Sequence, residues 1–377
     1  MRARRSTTAR RGLPALVLAA VALLGGCTAA PAPGAASAAA TAPLADLVPV
    51  ADPRTWEGPS TAVLADDAIV PVSPGGRPAL PTTVVSHDVA GETTVTVRDA
   101  SRVIAMDRAG ALASTIWGLG LGDLLVARDA STSFPGTEGL PVVTGSGHTV
   151  NSESIVALAP TLVITDGSIG PRDVVEQLRD VGIAVVTVPN APSFEGAEQL
   201  ARDVAAVLGV PEQGERLASR IAADIAAAVA EVKGVAPVAA EDRVRMLFLY
   251  VRGSAGVYYL FGEESGADAL IHALGGVDVA GELGWEGMRP MTDEAMAAAN
   301  PDLILVMTHG IESAGGVDGL LAQKPAIAVT AAGERRRFVD MADAQVLSFG
   351  PRSGDVVRAL ARAVYAPDGR SRTETAG

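Results

Sequence analysis

A single cysteine, Cys27, stands in the 377 residues, so no disulfide can form within the chain. Aromatic side chains make up only 3% of it, which leaves few flat groups for stacking on a ligand. Lysine is nearly absent, with Lys233 and Lys324 alone. HExxH, CxxC, Walker and GxSxG sequences are missing, as is any nucleophile–base pair at recognisable spacing, and this argues against catalysis. Positive charge is also short. The chain has 30 basic and 43 acidic residues, and five of the arginines fall within the first 26 residues, so the remainder sits near about −18. Such acidity argues against nucleic acid as a partner and gives no support for binding to anionic lipid.

What is present begins with MRARRSTTARRGLPALVLAAVALLGGC, five arginines and then an apolar run from Leu13 to Leu24. That run is too short for an ordinary membrane span and has the layout of an export signal. Cys27 directly after Leu24-Gly25-Gly26 reads as a lipobox, its thiol acylated at a new N-terminus. A chance cysteine at an ordinary cleavage site is the other reading. Two acyl chains hold a protein stably on a bilayer. The expected organisation is a leader over residues 1–26, a lipidated Ala/Pro-rich tether over 27–83, a first lobe over 84–200, a helical spine over 201–240 and a second lobe over 241–377.

The lobes rest on periodicity. Short β-branched runs at 102–106, 124–127, 161–165 and 184–188 alternate with helical patterns at 110–117, 152–158 and 172–181. The second half repeats the scheme, with strands at 244–251, 257–260, 303–307 and 338–341 and a last helix at 355–365. Alternation of this kind predicts βαβ units and a largely parallel sheet in each half. Between them residues 211–234 open with proline, close with glycine and repeat Leu217, Ile221, Ile225 and Val229, which predicts one long helix. One echo links the halves. ESIVALAPTLVI and EAMAAANPDLIL share Glu, six residues, Pro, one residue, Leu and two aliphatics, placing Glu153 and Glu294 in corresponding positions. The predicted fold class is α/β: two lobes joined by one long helix, like a class III periplasmic binding protein, with the ligand cleft between them. An exported, tethered, two-lobed chain suggests a capture protein for an uptake transporter.

The candidate chemistry is concentrated in YVRGSAGVYYL, which holds three of the four tyrosines. Period two puts Met246, Phe248, Tyr250 and Arg252 on one strand face, with Tyr250 and Arg252 at the end where open α/β sheets bind ligands. A phenolate is a hard donor suited to Fe(III), and a guanidinium one strand repeat away favours that anion. Packing as an ordinary strand-end aromatic is the alternative. Tyr258 and Tyr259 must point to opposite faces, so at least one of them is architecture. His148 sits in the loop GSGHTVNSE and could be an axial ligand or a solvated histidine, and His309 in MTHG is its rival. His87 and His272 look peripheral.

The segments GHTVNSESIVALAPTLVITDGSIGP, FLYVRGSAGVYYLFG, GADALIHALGGVDVA, MTHGIESAGGVDGLLA and LSFGPRSGDVVRALA together resemble the HmuT-type haem-carrier lipoproteins of bacterial haem ABC importers. The likeness runs from about residue 80 to 367. It implies ferric haem held between the lobes by His148 and Tyr250, with Arg252 supporting the phenolate. It also implies Glu153 and Glu294 as the contacts with the permease, and permease and ATPase subunits as partners, with surface haem-binding proteins as possible donors upstream. Tyr258, Met291 and His309 are then expected to line the pocket. The expected location is the outer face of the cell membrane, reached through the lipid anchor. A ferric-siderophore or cobalamin carrier is the alternative among binding proteins, and a surface haem-processing enzyme the alternative of another class.

Overall fold

The computed structural model describes residues 41–145, 149–171 and 173–372. The leader, Cys27, the first part of the expected tether and His148 lie outside the described residues. The rest of that tether is a correction: residues 41–83 are part of the fold. Leu44 and Leu47 are each 1% exposed, and the backbone amides of Val48 and Val50 donate to the carbonyls of Arg370 and Tyr365. Strand β1 (Ser60–Ala62) then runs parallel to a strand of the second lobe. The apolar residues that anchor this segment follow neither a helical nor a strand period, and their partners lie at the far end of the chain.

From β1 the chain crosses in extended form to the first lobe, where the Val72 amide donates to Gly118 O at 2.8 Å. It enters an antiparallel hairpin, β2 (Thr82–Asp88) and β3 (Gly91–Val97). The first lobe's sheet follows as β4 (Val103–Met106), β5 (Leu125–Arg128), β6 (Leu162–Thr165) and β7 (Ala184–Thr187), all parallel in the order β5-β4-β6-β7. The spine helix Pro211–Lys233 carries proline in its first turn, where a missing N–H costs nothing. At 1.5 Å per residue it is about 34 Å long. It buries Leu217, Ala218, Ile221, Ile225, Ala228 and Val232. Each of the leucine, isoleucine and valine side chains among them contributes about 1.5–3 kcal/mol when fully buried.

The second lobe contains β8 (Arg245–Arg252), β9 (Val257–Phe261), β10 (Val277–Asp278), β11 (Met288–Pro290), β12 (Leu303–Met307) and β13 (Phe338–Met341). Its sheet runs β1-β13-β12-β8-β9-β11, and β10 also pairs with β8. The parallel series β10-β8-β12-β13 reproduces β5-β4-β6-β7 strand for strand. The echo in the sequence is therefore a repeated fold. In both copies the residue before the shared proline takes a left-handed turn, Ala159 at φ 45° and Asn300 at φ 34°. One apolar core joins the lobes: Ile116, Leu200, Leu217, Phe248 and Val357 belong to a single buried cluster.

Candidate functional site

Residues on β8 alternate between two cores. Met246 and Phe248 face the core shared by the lobes, whereas Leu247, Leu249 and Val251 face an outer core of the second lobe. Tyr250 continues the inner row and is half-buried, and Arg252 is the last residue of the strand. The Tyr250 ring stacks on Phe261 at 6.0 Å and 9°. Arg252 Nε donates to Tyr250 Oη at 2.7 Å, with the guanidinium carbon 5.5 Å from the ring centre. The hydrogen bond to Tyr250 holds Arg252 above even the usual arginine range, against the opposing effect of burial. A fixed cation therefore faces the phenol oxygen at hydrogen-bond distance.

Two packing contacts hold Arg252 in place. The Gly253 amide donates to Ser313 Oγ at 2.9 Å, at the end of helix Thr308–Ser313. Gly253 lies so close to Ala314 that a Cβ would overlap its backbone. Gly256, at φ 64°, then turns the chain into β9. On the same helix His309 is exposed, and its ring lies 3.4 Å from Glu312. Its amide donates to Asp343 Oδ2 at 3.2 Å. Burial pushes the Asp343 carboxyl up, while the His309 amide and the charges of His309 and Arg252 pull it back.

The hairpin register decides which tyrosines share this face. Tyr250 lies opposite Tyr259 and Phe248 opposite Phe261, and β11 extends the rows with Pro290 beside Tyr259 and Met288 beside Phe261. The result is a shelf of phenols and apolar groups whose outer member, Met288, is 57% exposed. Tyr259 and Met288 were not expected here, because strand parity does not reveal which residues a partner strand brings alongside. Tyr258 and Met291 are corrections. Tyr258 is 6% exposed in the outer core, hydrogen-bonded to Gln323 Oε1 at 2.9 Å and capped by Lys324 Nζ at 4.1 Å from its ring. Met291 packs against that same outer core, and its amide donates to Tyr258 O. Neither side chain reaches the Tyr250 face, for the period of two turns them away from it.

Across the cleft, the strands of the first lobe end in carboxylates that are already committed. Asp107 accepts the amides of Ala109, Ala111 and Leu112, and Asp129 accepts those of Asp107 and Thr132. Complete burial, reinforced by Asp129, pushes the Asp107 carboxyl up to about 7. These groups build the rim of the lobe. On either side of residues 146–148, Gly145 N donates to Thr149 O at 2.7 Å. Glu153 lies in the first turn of helix Ser152–Ala157, capped by Asn151, and Glu294 in the first turn of helix Asp293–Ala299, capped by Thr292. Both are exposed. A separate cavity of about 600 Å³ lies between Ala191–Pro192–Ser193 and helix Ala267–Ala273. Glu263, Glu264, Asp268 and His272 line it, an acidic wall that suits an anionic porphyrin poorly. Among the described residues no group of three or more His, Cys, Asp or Glu could hold a bare metal ion, and no helix is long and apolar enough to cross a membrane.

Two matching parallel sheets on a helical spine, with a cation-supported phenol at the inner edge of one, define a ligand-binding carrier. Residues 109–344 match the family described as periplasmic binding protein. The solved haem-binding protein HmuT is 41% identical, with a TM-score of 0.77 over 83% of this chain and 99% of its own. It has also been solved with alanine replacing an arginine, a tyrosine or a histidine, the tyrosine and arginine two positions apart. The periplasmic haem-binding protein RhuT from Roseiflexus sp. RS-1 is 35% identical, with a TM-score of 0.64 over 72% of this chain and all of its own. YvrC of Bacillus subtilis (strain 168), described as an uncharacterized ABC transporter substrate-binding lipoprotein, is 26% identical over 67% of this chain and 76% of its own. The chain belongs to the periplasmic binding protein family and, within it, to the HmuT group.

Proposed function

We propose that this protein captures ferric haem between its lobes and delivers it to an ABC importer, without catalysis of its own. The observation that carries the reading is the Tyr250–Arg252 pair at the inner edge of the second lobe, beside the open shelf of Tyr259, Met288 and Pro290. A porphyrin needs a broad apolar surface and its ferric iron needs an anionic donor, and these residues supply both. The relative substituted at a tyrosine and an arginine two positions apart, the separation of Tyr250 and Arg252, supports the same assignment. In this reading Tyr250 binds the iron as phenolate, Arg252 steadies that anion and His148 supplies the opposite ligand from the first lobe. Reduction to Fe(II) weakens the phenolate bond, since a less charged iron gains less from an anionic donor.

The protein is exported and associated with the membrane, and we assign its anchor to acylated Cys27. Glu153 and Glu294 are the carboxylates that meet the permease, whose ATPase subunits supply the energy. The direct test is a haem titration of the purified protein followed by absorption. Tyr250→Ala is expected to change the spectrum and to lower affinity at least about tenfold. An unchanged spectrum with unchanged affinity would remove Tyr250 from the site.

A further inference from the structure

Tyr259 enters the reading above only as part of the shelf, its hydroxyl given no task. It lies directly across the hairpin from Tyr250, a cross-strand pair whose Cβ atoms stand about 4.5–5.5 Å apart. Its other neighbour is Pro290, so it occupies the middle of the shelf. Tyr258, one residue earlier, has its hydroxyl tied to Gln323 and its ring covered by Lys324. The Tyr259 ring is half-buried, and among the described residues its hydroxyl has no hydrogen-bond partner. A phenol whose ring is packed and whose oxygen is uncommitted is a donor held ready at a fixed place.

We propose that Tyr259 is a second iron donor for ferric haem in the same cleft, taking the metal when Tyr250 does not. The inference rests on the assignment of Tyr250 as the first donor. The haem slides along the shelf by about the width of one cross-strand pair, roughly 5 Å. The Tyr250 oxygen–iron bond breaks and that phenolate takes a proton from bulk water, the Tyr259 O–H gives its proton to bulk water as its own oxygen–iron bond forms, and the iron remains Fe(III) throughout. Such a sideways step exchanges one phenolate for another on the same face of the iron, so the haem leaves Tyr250 without leaving the cleft. The shelf allows it because Tyr250, Tyr259 and Pro290 lie in one row across the three strands, with the exposed Met288 beside them.

The test compares the purified wild-type protein, Tyr250→Ala, Tyr259→Phe and the double variant, each loaded with ferric haem. Resonance Raman reports phenolate–iron bands and a titration reports affinity. Tyr250→Ala is expected to keep phenolate bands, shifted from those of the wild type because the new donor lacks the Arg252 hydrogen bond. The double variant should lose the bands, with a further fall in affinity of about tenfold or more. Tyr259→Phe alone is the reference against which the double variant is read. Absence of phenolate bands in Tyr250→Ala would overturn the second donor and leave the assignment of Tyr250 standing. Bands and affinity in Tyr250→Ala identical to the wild type would overturn that assignment and this inference with it.

Discussion

Arg252 meets Tyr250 through Nε at 2.7 Å, a contact that a lysine cannot reproduce. Its planar guanidinium fixes the direction of donation, whereas an ammonium on a flexible stem supplies charge without that direction. A hydrogen bond from a charged donor contributes about 1.5–3 kcal/mol. Arg252→Ala is therefore expected to weaken ferric haem binding roughly 10- to 150-fold. Arg252→Lys should fall between that variant and the wild type. The measurement is a haem titration of the three proteins, and equal affinities would show that the guanidinium does not support the ligand. This pair was legible in the sequence because residues two apart share a strand face whatever lies next to them. Tyr259 was not, because its place depends on a four-residue connection, Gly253 to Gly256, that sets the register. With Arg252 paired to Val257, the even count brings Tyr259 and not Tyr258 opposite Tyr250.

At the scale of elements, the site depends on how β8 is braced by helix Thr308–Ser313. Gly310 lies under the end of the strand, where a Cβ would be 2.9 Å from Val251 O, and Gly253 lies against Ala314. An added methyl at position 253 meets backbone rather than the far end of a side chain, so no rotamer change relieves it. Overpacking of this kind costs about 1–3 kcal/mol. Gly253→Ala should lower the melting temperature of the haem-free protein and also weaken haem binding, since the displaced turn carries Arg252 with it. A variant that melts lower yet binds haem normally would separate the brace from the ligand pair. The helix–strand units themselves were readable, because helical period, capping residues and proline stops are local signals. The shared Glu-x₆-Pro pattern even revealed the repeat of the two lobes. The crossing segment 41–83 was not readable. Its strand β1 has three residues, and its stability comes from β13 and the C-terminal helix Ser353–Tyr365, which are remote in sequence.

The whole molecule has two routes between its lobes, the spine and the extended crossing after β1, and both are tied down. Phe194 of the first lobe meets Phe349 of the second edge-on at 5.5 Å. Arg352 lies 5.5 Å from the Phe134 ring while paired to Asp67 of the crossing segment. With one buried core running through the junction, large opening would expose apolar surface, so the motions that release cargo are expected to be small. A carrier this stiff must be recognised on a fixed surface, and Glu153 and Glu294 fit that need. Each is exposed in the first turn of a side-chain-capped helix, at corresponding positions of the repeated fold. Reversing both charges, Glu153→Arg with Glu294→Arg, places cations at helix N-termini at a cost of about 0.3–1 kcal/mol each. That is small beside the stability of a folded domain and distant from the shelf. Haem affinity of the purified double variant should therefore stay within about twofold of the wild type. Growth of cells on haem as the iron source should fail, with each single variant impaired in part, because reversing a rim charge opposes the proposed contact at each lobe. Full haem-dependent growth of the double variant would put the contact with the permease elsewhere on the molecule.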